Sequence, residues 1–152
     1  MLFSRRKQHI KRILIVEDEP LVAFDNEIMV AAAGYQIVAT VDSHIGAVER
    51  IDEELRAAKG EDDRGVDLVM SDLSLAGYGT GLDVARAAHE RGIPVLFVTG
   101  DPPPHADQVA IGCLLKPYNE WQLTAALKAV EAILVGGKVK PQDGLTLYAA
   151  VA

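Results

Sequence analysis

Acids, a hydroxyl and an ammonium recur in this chain just after short apolar runs. Glu17, Asp18 and Glu19 follow Ile13-Leu14-Ile15-Val16, and Asp72 comes two residues after Asp67-Leu68-Val69-Met70. Thr99 and Gly100 follow Val95-Leu96-Phe97-Val98, and Lys116-Pro117 follow Cys113-Leu114-Leu115. If the fold gathers those ends, carboxylates, a hydroxyl and an ammonium share one pocket. Crowded carboxylates raise one another's pKa unless a cation intervenes. An all-oxygen donor set with little His or Cys nearby suits Mg²⁺, which keeps several waters and takes one or two carboxylates plus phosphate oxygens. A carboxylate is also a nucleophile towards phosphorus and gives an aspartyl phosphate. Lys116 and the Mg²⁺ would neutralise charge on a transferred group, with Thr99 donating a hydrogen bond.

Singly, each residue has an ordinary explanation. A Glu-Asp pair after a strand is commonly a solvated turn, and Asp72 or Thr99 alone reads as a cap or turn residue. Lys116-Pro117 alone is a loop, although an X-Pro bond can be cis. Their shared placement at the ends of four different runs is what carries weight.

The elements that must position them alternate in kind. Five apolar runs, the four above and Ile37 to Val41, are mostly apolar at successive positions, as in strands buried on both faces of a parallel sheet. Between them the period becomes helical. Leu21, Phe24, Ile28 and Ala31 form one stripe, stopped by Gly34. Ser43 caps a helix with the stripe Ile45, Val48, Ile51 and Leu55, and an acidic turn runs from Gly60 to Gly65. Thr80 caps the next, over Leu82, Ala85 and His89, and Gly92-Ile93-Pro94 ends it. The last helix carries Leu123, Leu127, Val130 and Leu134 and stops at Gly136-Gly137. Such alternation predicts an α/β fold, a five-stranded parallel sheet with helices on both faces. Ligands bind such sheets beyond the carboxyl ends of the strands.

Bulk properties set limits. At 152 residues, 49% hydrophobic and 24% charged, the chain suits one ordinary globular domain. The single Cys113 cannot form an internal disulfide, which points to a reducing cytoplasm. No apolar run approaches the roughly 20 residues of a membrane span, and the N-terminus lacks the apolar stretch of a signal peptide. A net charge of −7 disfavours a nucleic-acid partner. The exception is the basic cluster Arg5, Arg6, Lys7, Lys11 and Arg12, read as a solvated tail over residues 1–11 rather than a nucleic-acid or membrane contact.

From about Arg12 to Val135 the chain resembles the receiver domain of two-component response regulators. The segments that carry this are Ile13-Leu14-Ile15-Val16-Glu17-Asp18-Glu19-Pro20, Asp67-Leu68-Val69-Met70-Ser71-Asp72, Phe97-Val98-Thr99-Gly100 and Leu115-Lys116-Pro117-Tyr118. The resemblance implies a flavodoxin-like (βα)5 sheet of order 2-1-3-4-5. It implies that Asp72 accepts phosphate from a sensor histidine kinase or phosphotransfer protein. It further implies that Asp18 ligates Mg²⁺, that Glu17 does so directly or through water, and that the Ser74 carbonyl joins Asp72 in the ligand set. Thr99 would be the switch hydroxyl and Lys116 the phosphate-binding lysine, followed by a cis bond to Pro117. Phe97-Val98-Thr99-Gly100 is also similar to the Phe-Ala-Thr-Gly-Tyr class of alphaproteobacterial single-domain receivers, with Asp101 in place of the tyrosine. That likeness implies a kinase of the HWE or a related type.

The chain departs from the family twice. Receivers usually place an aromatic three positions before the lysine, and here that position is Cys113. The interval from Thr99 to Lys116 is also shorter than usual and contains Pro102-Pro103-Pro104, which disfavours helix. The fourth helix of the usual five is therefore predicted to be missing or cut to a short turn, leaving Asp101 to Ala110 as the moving part. Residues 136–152 form an extension too short for a DNA-binding domain. Within it Leu145-Thr146-Leu147-Tyr148 suggests a strand, packed on its own domain or disordered rather than a dimer arm. A monomer or weak homodimer is expected.

The expected function is that of a stand-alone phosphoacceptor serving as relay intermediate, feedback regulator or phosphate sink, with self-dephosphorylation as its only catalysis. The alternative is a pseudo-receiver, a binding module in which phosphate plays no part. A phosphatase with an aspartyl nucleophile ranks below both, because the second acid such enzymes use is replaced by Ser74.

Overall fold

Runs apolar at successive positions become the strands β1 (Arg12–Val16), β2 (Gln36–Val41), β3 (Leu68–Ser71), β4 (Val95–Thr99) and β5 (Gly112–Leu115). A sixth strand, β6 (Leu145–Leu147), follows from the C-terminal extension. The helices are α1 (Pro20–Ala32), α2 (His44–Ala57), α3 (Gly81–Glu90) and α4 (Glu120–Leu134). The computed structural model describes residues 10–60, 63–75 and 79–148. The basic residues Arg5, Arg6 and Lys7 lie outside the described residues, as do part of the turn from Gly60 to Gly65 and residues 149–152.

The sheet order is β2-β1-β3-β4-β5-β6. The first five strands pair in parallel, in the expected 2-1-3-4-5 order, and β6 runs antiparallel to β5. Alternate residues of each central strand feed two cores. Ile13, Ile15, Met70, Leu96, Val98 and Leu114 meet Val30 of α1 and Leu123, Leu127 and Val130 of α4. Leu14, Val16, Val69, Phe97 and Cys113 meet Ala47 and Ile51 of α2 and Val84, Ala85 and Ala88 of α3. Strands buried on both sides need apolar residues at every position, which is why their runs were legible.

Local signals hold at the helix ends. Ser43 accepts from the Gly46 N–H at 3.0 Å, and Thr80 with Asp83 forms a capping box at α3. The stripe of α1 is different. Leu21, Phe24 and Ile28 face solvent, 79%, 59% and 50% exposed, while Ala23, Asn26 and Val30 are buried. Both sides of α1 carry apolar residues, so helical period alone does not choose between them. The side that packs is the one whose small Ala23 and hydrogen-bonded Asn26 fit close to the sheet and to Tyr118. His89, grouped with the α3 stripe, is likewise on the exposed side.

Between β4 and β5 the usual helix is cut to one 3-10 turn, Ala106–Gln108, after the proline triplet. Its entry residue His105 has φ 64°, left-handed backbone that a non-glycine residue seldom adopts. Across the sheet edge, β6 lies so close to β5 that a Cβ on Gly112 would stand 2.6 Å from the Thr146 carbonyl oxygen. Glycine is what permits the approach. None of the described helices is long and apolar enough to cross a membrane.

Cys113 is 1% exposed between β4 and β6. Burial pushes its thiol up to about 11. A raised thiol pKa favours the fold while the thiol is neutral, and that contribution is lost only as pH climbs through the raised value. A thiol reagent at pH 8 is therefore expected to label Cys113 after denaturation and hardly at all before it. Fast labelling of the folded protein would contradict a closed β5–β6 edge.

Candidate functional site

β1 lies between β2 and β3, one strand in from the β2 edge, where the strand order reverses. The ladder runs one residue beyond the strands: the Glu17 N–H donates to the Val41 carbonyl at 2.9 Å and the Asp72 N–H to the Val16 carbonyl at 3.0 Å. Backbone pairing thus delivers Asp72 beside Glu17. Gly81, at the start of α3, secures the turn after Asp72. Its N–H donates to the Leu73 carbonyl at 2.9 Å, and a Cβ there would stand 2.1 Å from the Asp72 carbonyl oxygen.

Glu17, Asp18 and Asp72 each offer a carboxylate oxygen, and these oxygens lie within 4.8 Å of one another. Lys116 reaches in from the end of β5. Its Nζ donates to Glu17 Oε1 and to Asp72 Oδ2, both at 3.2 Å. The Lys116 N–H bonds the Thr99 carbonyl at 2.9 Å, which ties the two strand ends together. The Lys116–Pro117 peptide is cis, as the resemblance implied. Asp72 Oδ1 accepts from the N–H of Leu73 at 2.7 Å and of Ser74 at 3.4 Å, which keeps Ser74 beside the acids.

Charge here is finely opposed. Burial raises the Glu17 pKa and the Asp72 charge adds to this, while a bond from the Glu19 N–H and the nearby Lys116 pull it down; the net shift is upward. Burial works to lower Lys116, but the charges of Asp72 and Glu17 overcome it and hold the ammonium above its ordinary value. Glu17 is only 3% exposed. A buried carboxylate beside two others, with one ammonium shared between Glu17 and Asp72, favours a further cation. Three oxygen donors without imidazole or thiolate in the group suit a hard divalent ion such as Mg²⁺, and the residues present fit it. An open groove lined by Glu17, Asp18, Thr40, Asp42 and Gly46 gives access from the α2 side.

Thr99 is 7% exposed at the end of β4. Its hydroxyl oxygen accepts from the Asp101 N–H at 3.2 Å, so it is engaged with its own loop rather than with Asp72. Two supporting residues were not singled out from the sequence. The Tyr118 hydroxyl donates to Asn26 Oδ1 at 2.7 Å, joining the loop after Lys116 to α1. Asn26 is 1% exposed; the signal available was a polar residue two positions before Ile28, on what proved to be the buried side. Gly81 is the other, visible only as a glycine directly after a capping threonine.

Two outcomes follow. Millimolar Mg²⁺ should raise the thermal midpoint by a few degrees, since occupancy of about ten times Kd adds roughly 1.4 kcal/mol, and Asp18→Ala should remove the shift. Gly81→Ala should cost about 1–3 kcal/mol through overpacking and weaken the Mg²⁺ response, because the methyl group displaces the Asp72 backbone. Unchanged denaturant midpoints for Gly81→Ala would show that the turn yields freely.

A family model described as the response regulator receiver domain matches residues 13–128. The regulator PhyR of Methylorubrum extorquens AM1 is 32% identical over 91 residues, 59% of this chain and 31% of that protein. The crystal structure of the response regulator PhyR from Brucella abortus matches with a TM-score of 0.63 at 26% identity, over 86% of this chain and 51% of that one. The BeF3-activated conformation of SdrG from Pseudomonas melonis Fr1 matches with a TM-score of 0.61 at 31% identity, over 78% of this chain and 94% of that one. The chain thus spans about a third of the PhyR protein and half of its solved homologue. The family model covers most of the sequence, and the strand order and the acids at the strand ends agree with it: the chain belongs to the response regulator receiver domain family.

Proposed function

We propose that this chain accepts a phosphoryl group on Asp72 from a sensor histidine kinase or phosphotransfer protein, in a Mg²⁺-dependent step, and signals through protein contacts. The observation that carries this reading is Lys116 Nζ standing 3.2 Å from both Glu17 Oε1 and Asp72 Oδ2, at one edge of the acid group. In that arrangement an Asp72 oxygen attacks the phosphorus of a phosphohistidine. The P–N bond breaks and its electron pair leaves with the imidazole. Lys116 shifts from the carboxylates to the incoming phosphoryl oxygens, and the Thr99 hydroxyl donates to another. Backbone N–H groups of Leu73 and Ser74 hold Asp72 Oδ1, which orients the carboxylate. The Mg²⁺, held by Glu17, Asp18 and Asp72 with the Ser74 carbonyl, would supply charge neutralisation on the transferred group.

The exposed side of α1 supports the choice of donor. Leu21, Phe24 and Ile28 are exposed along α1, which starts two residues after Asp18, so a donor docked on this helix would stand beside the acids. A helix bearing the phosphohistidine covers such a stripe with its own apolar face. The likeness of Phe97-Val98-Thr99-Gly100 to the Phe-Ala-Thr-Gly-Tyr class of receivers supports a kinase of the HWE or a related type. It leaves relay, feedback and phosphate-sink roles equally served by this site. A buried, free Cys113 and partners of this kind support a cytoplasmic location.

Incubation with acetyl phosphate and Mg²⁺ should add the mass of one phosphoryl group to the wild type and none to Asp72→Asn. Lys116→Ala should slow the gain on the order of a hundredfold, as loss of one charge-stabilising donor does elsewhere. A gain that persists in Asp72→Asn, or none in the wild type, would reject the reading. Phe24→Glu should reduce transfer from a cognate kinase about tenfold or more, as interface anchors do, and leave the acetyl phosphate rate alone.

A further inference from the structure

The geometry points to β6 as a built-in reporter of Asp72 phosphorylation: the strand clasps both the Thr99 loop and the Lys116 end of β5, and charging Asp72 loosens the clasp. This rests on Asp72 being the phosphoacceptor.

The clasp has two ends. At one, the Leu115 N–H donates to the Gly144 carbonyl at 2.7 Å. The next residue is Lys116, whose Nζ already bonds Asp72 and Glu17. At the other, the Tyr148 N–H donates to the Ile111 carbonyl at 2.8 Å, where the loop from β4 returns to the sheet. Strand alternation sends Leu145 and Leu147 to the core under α1 and α4. It sends Tyr148 to the other face, against the cluster that holds Phe97, Ala106, Ala110 and Cys113. Burial raises the Tyr148 hydroxyl pKa, and Cys113 and Asp107 are near enough to add to the rise. The ring therefore closes over the 3-10 turn from the C-terminal strand. On that face β5 itself offers only the small thiol of Cys113 to the core, since Leu115 at its end is 39% exposed.

The same loop is held at its start by the site. The Asp101 N–H donates to the Thr99 hydroxyl oxygen at 3.2 Å. A phosphoryl group brings nearly two negative charges and three acceptor oxygens to Asp72. Thr99 and Lys116 are the neighbouring donors, and both move inward, away from β6. The Asp101 bond lengthens, and the Leu115–Gly144 bond is pulled from its other side. The loop between has Pro102 to Pro104, left-handed His105 and only turn bonds of its own. β6 pairs over three residues at the sheet edge, so it belongs to the least stable part of the fold. A bistable element of this kind responds to small differential contacts.

The experiment is amide hydrogen exchange on the full chain, with Mg²⁺ alone and with Mg²⁺ and beryllofluoride. Chemical shifts of Leu73, Ser74 and Lys116 report the site, and exchange at Leu115 and Tyr148 reports the clasp. The expected result is site shifts together with at least fivefold faster exchange at both clasp amides. Tyr148→Ala should exchange fast without beryllofluoride and respond no further; Tyr148→Phe, which keeps the ring, should respond like the wild type. Site shifts with unchanged exchange at Leu115 and Tyr148 would overturn the reporter and leave the phosphoacceptor intact. No site shift in the wild type would overturn both.

Discussion

Charge crowding at the carboxyl ends of β1 and β3 governs this molecule. Glu17, Asp18 and Asp72 stand close enough to repel one another, and burial removes the water that would screen Glu17. One ammonium, that of Lys116, bonds two of the three acids. The pocket is left short of positive charge, and that deficit is what makes it receptive to a divalent ion. An incoming phosphoryl group then competes for Lys116. The residues that hold the acids in place are therefore working against their mutual repulsion.

Most of that work is done by backbone. Continuation of the ladder past β1 and β3 aligns Glu17 and Asp72, and the bare Cα of Gly81 lets α3 begin directly against the Asp72 carbonyl. The Tyr118–Asn26 bond adds a side-chain tie from the Lys116 loop to α1. A central sheet buried on both faces makes this half of the site rigid. The Thr99 side differs. There a proline-rich loop with one 3-10 turn replaces a helix, so the hydroxyl is mounted on the softer part of the fold.

β5 is the last of the parallel strands, and an uncovered edge strand invites pairing with other chains. β6 covers it, helped by Gly112, and brings two leucines to one core and a tyrosine to the other. The C-terminal segment thus closes that edge. The PhyR and SdrG structures share the underlying fold.

The alternation of strands and helices along the chain, the positions of the acids and lysine at the strand ends, the caps at Ser43 and Thr80 and the loss of a full helix after Pro102 were all legible in the sequence. Each depends on neighbouring residues: an apolar run, the polar residue that ends it, or a proline that removes a donor. Three other features needed the folded chain. Leu21, Phe24 and Ile28 form as good a stripe as the side of α1 that is buried, and only the shape of the sheet and Tyr118 selects Ala23, Asn26 and Val30. The Thr99 hydroxyl had several possible partners within its reach, and the path of its loop decides for Asp101. The edge on which Leu145 to Leu147 pairs depends on a close approach to Gly112, more than thirty residues away. Periodicity records what each segment tends to do alone; which surfaces meet is set by packing between segments remote in the chain.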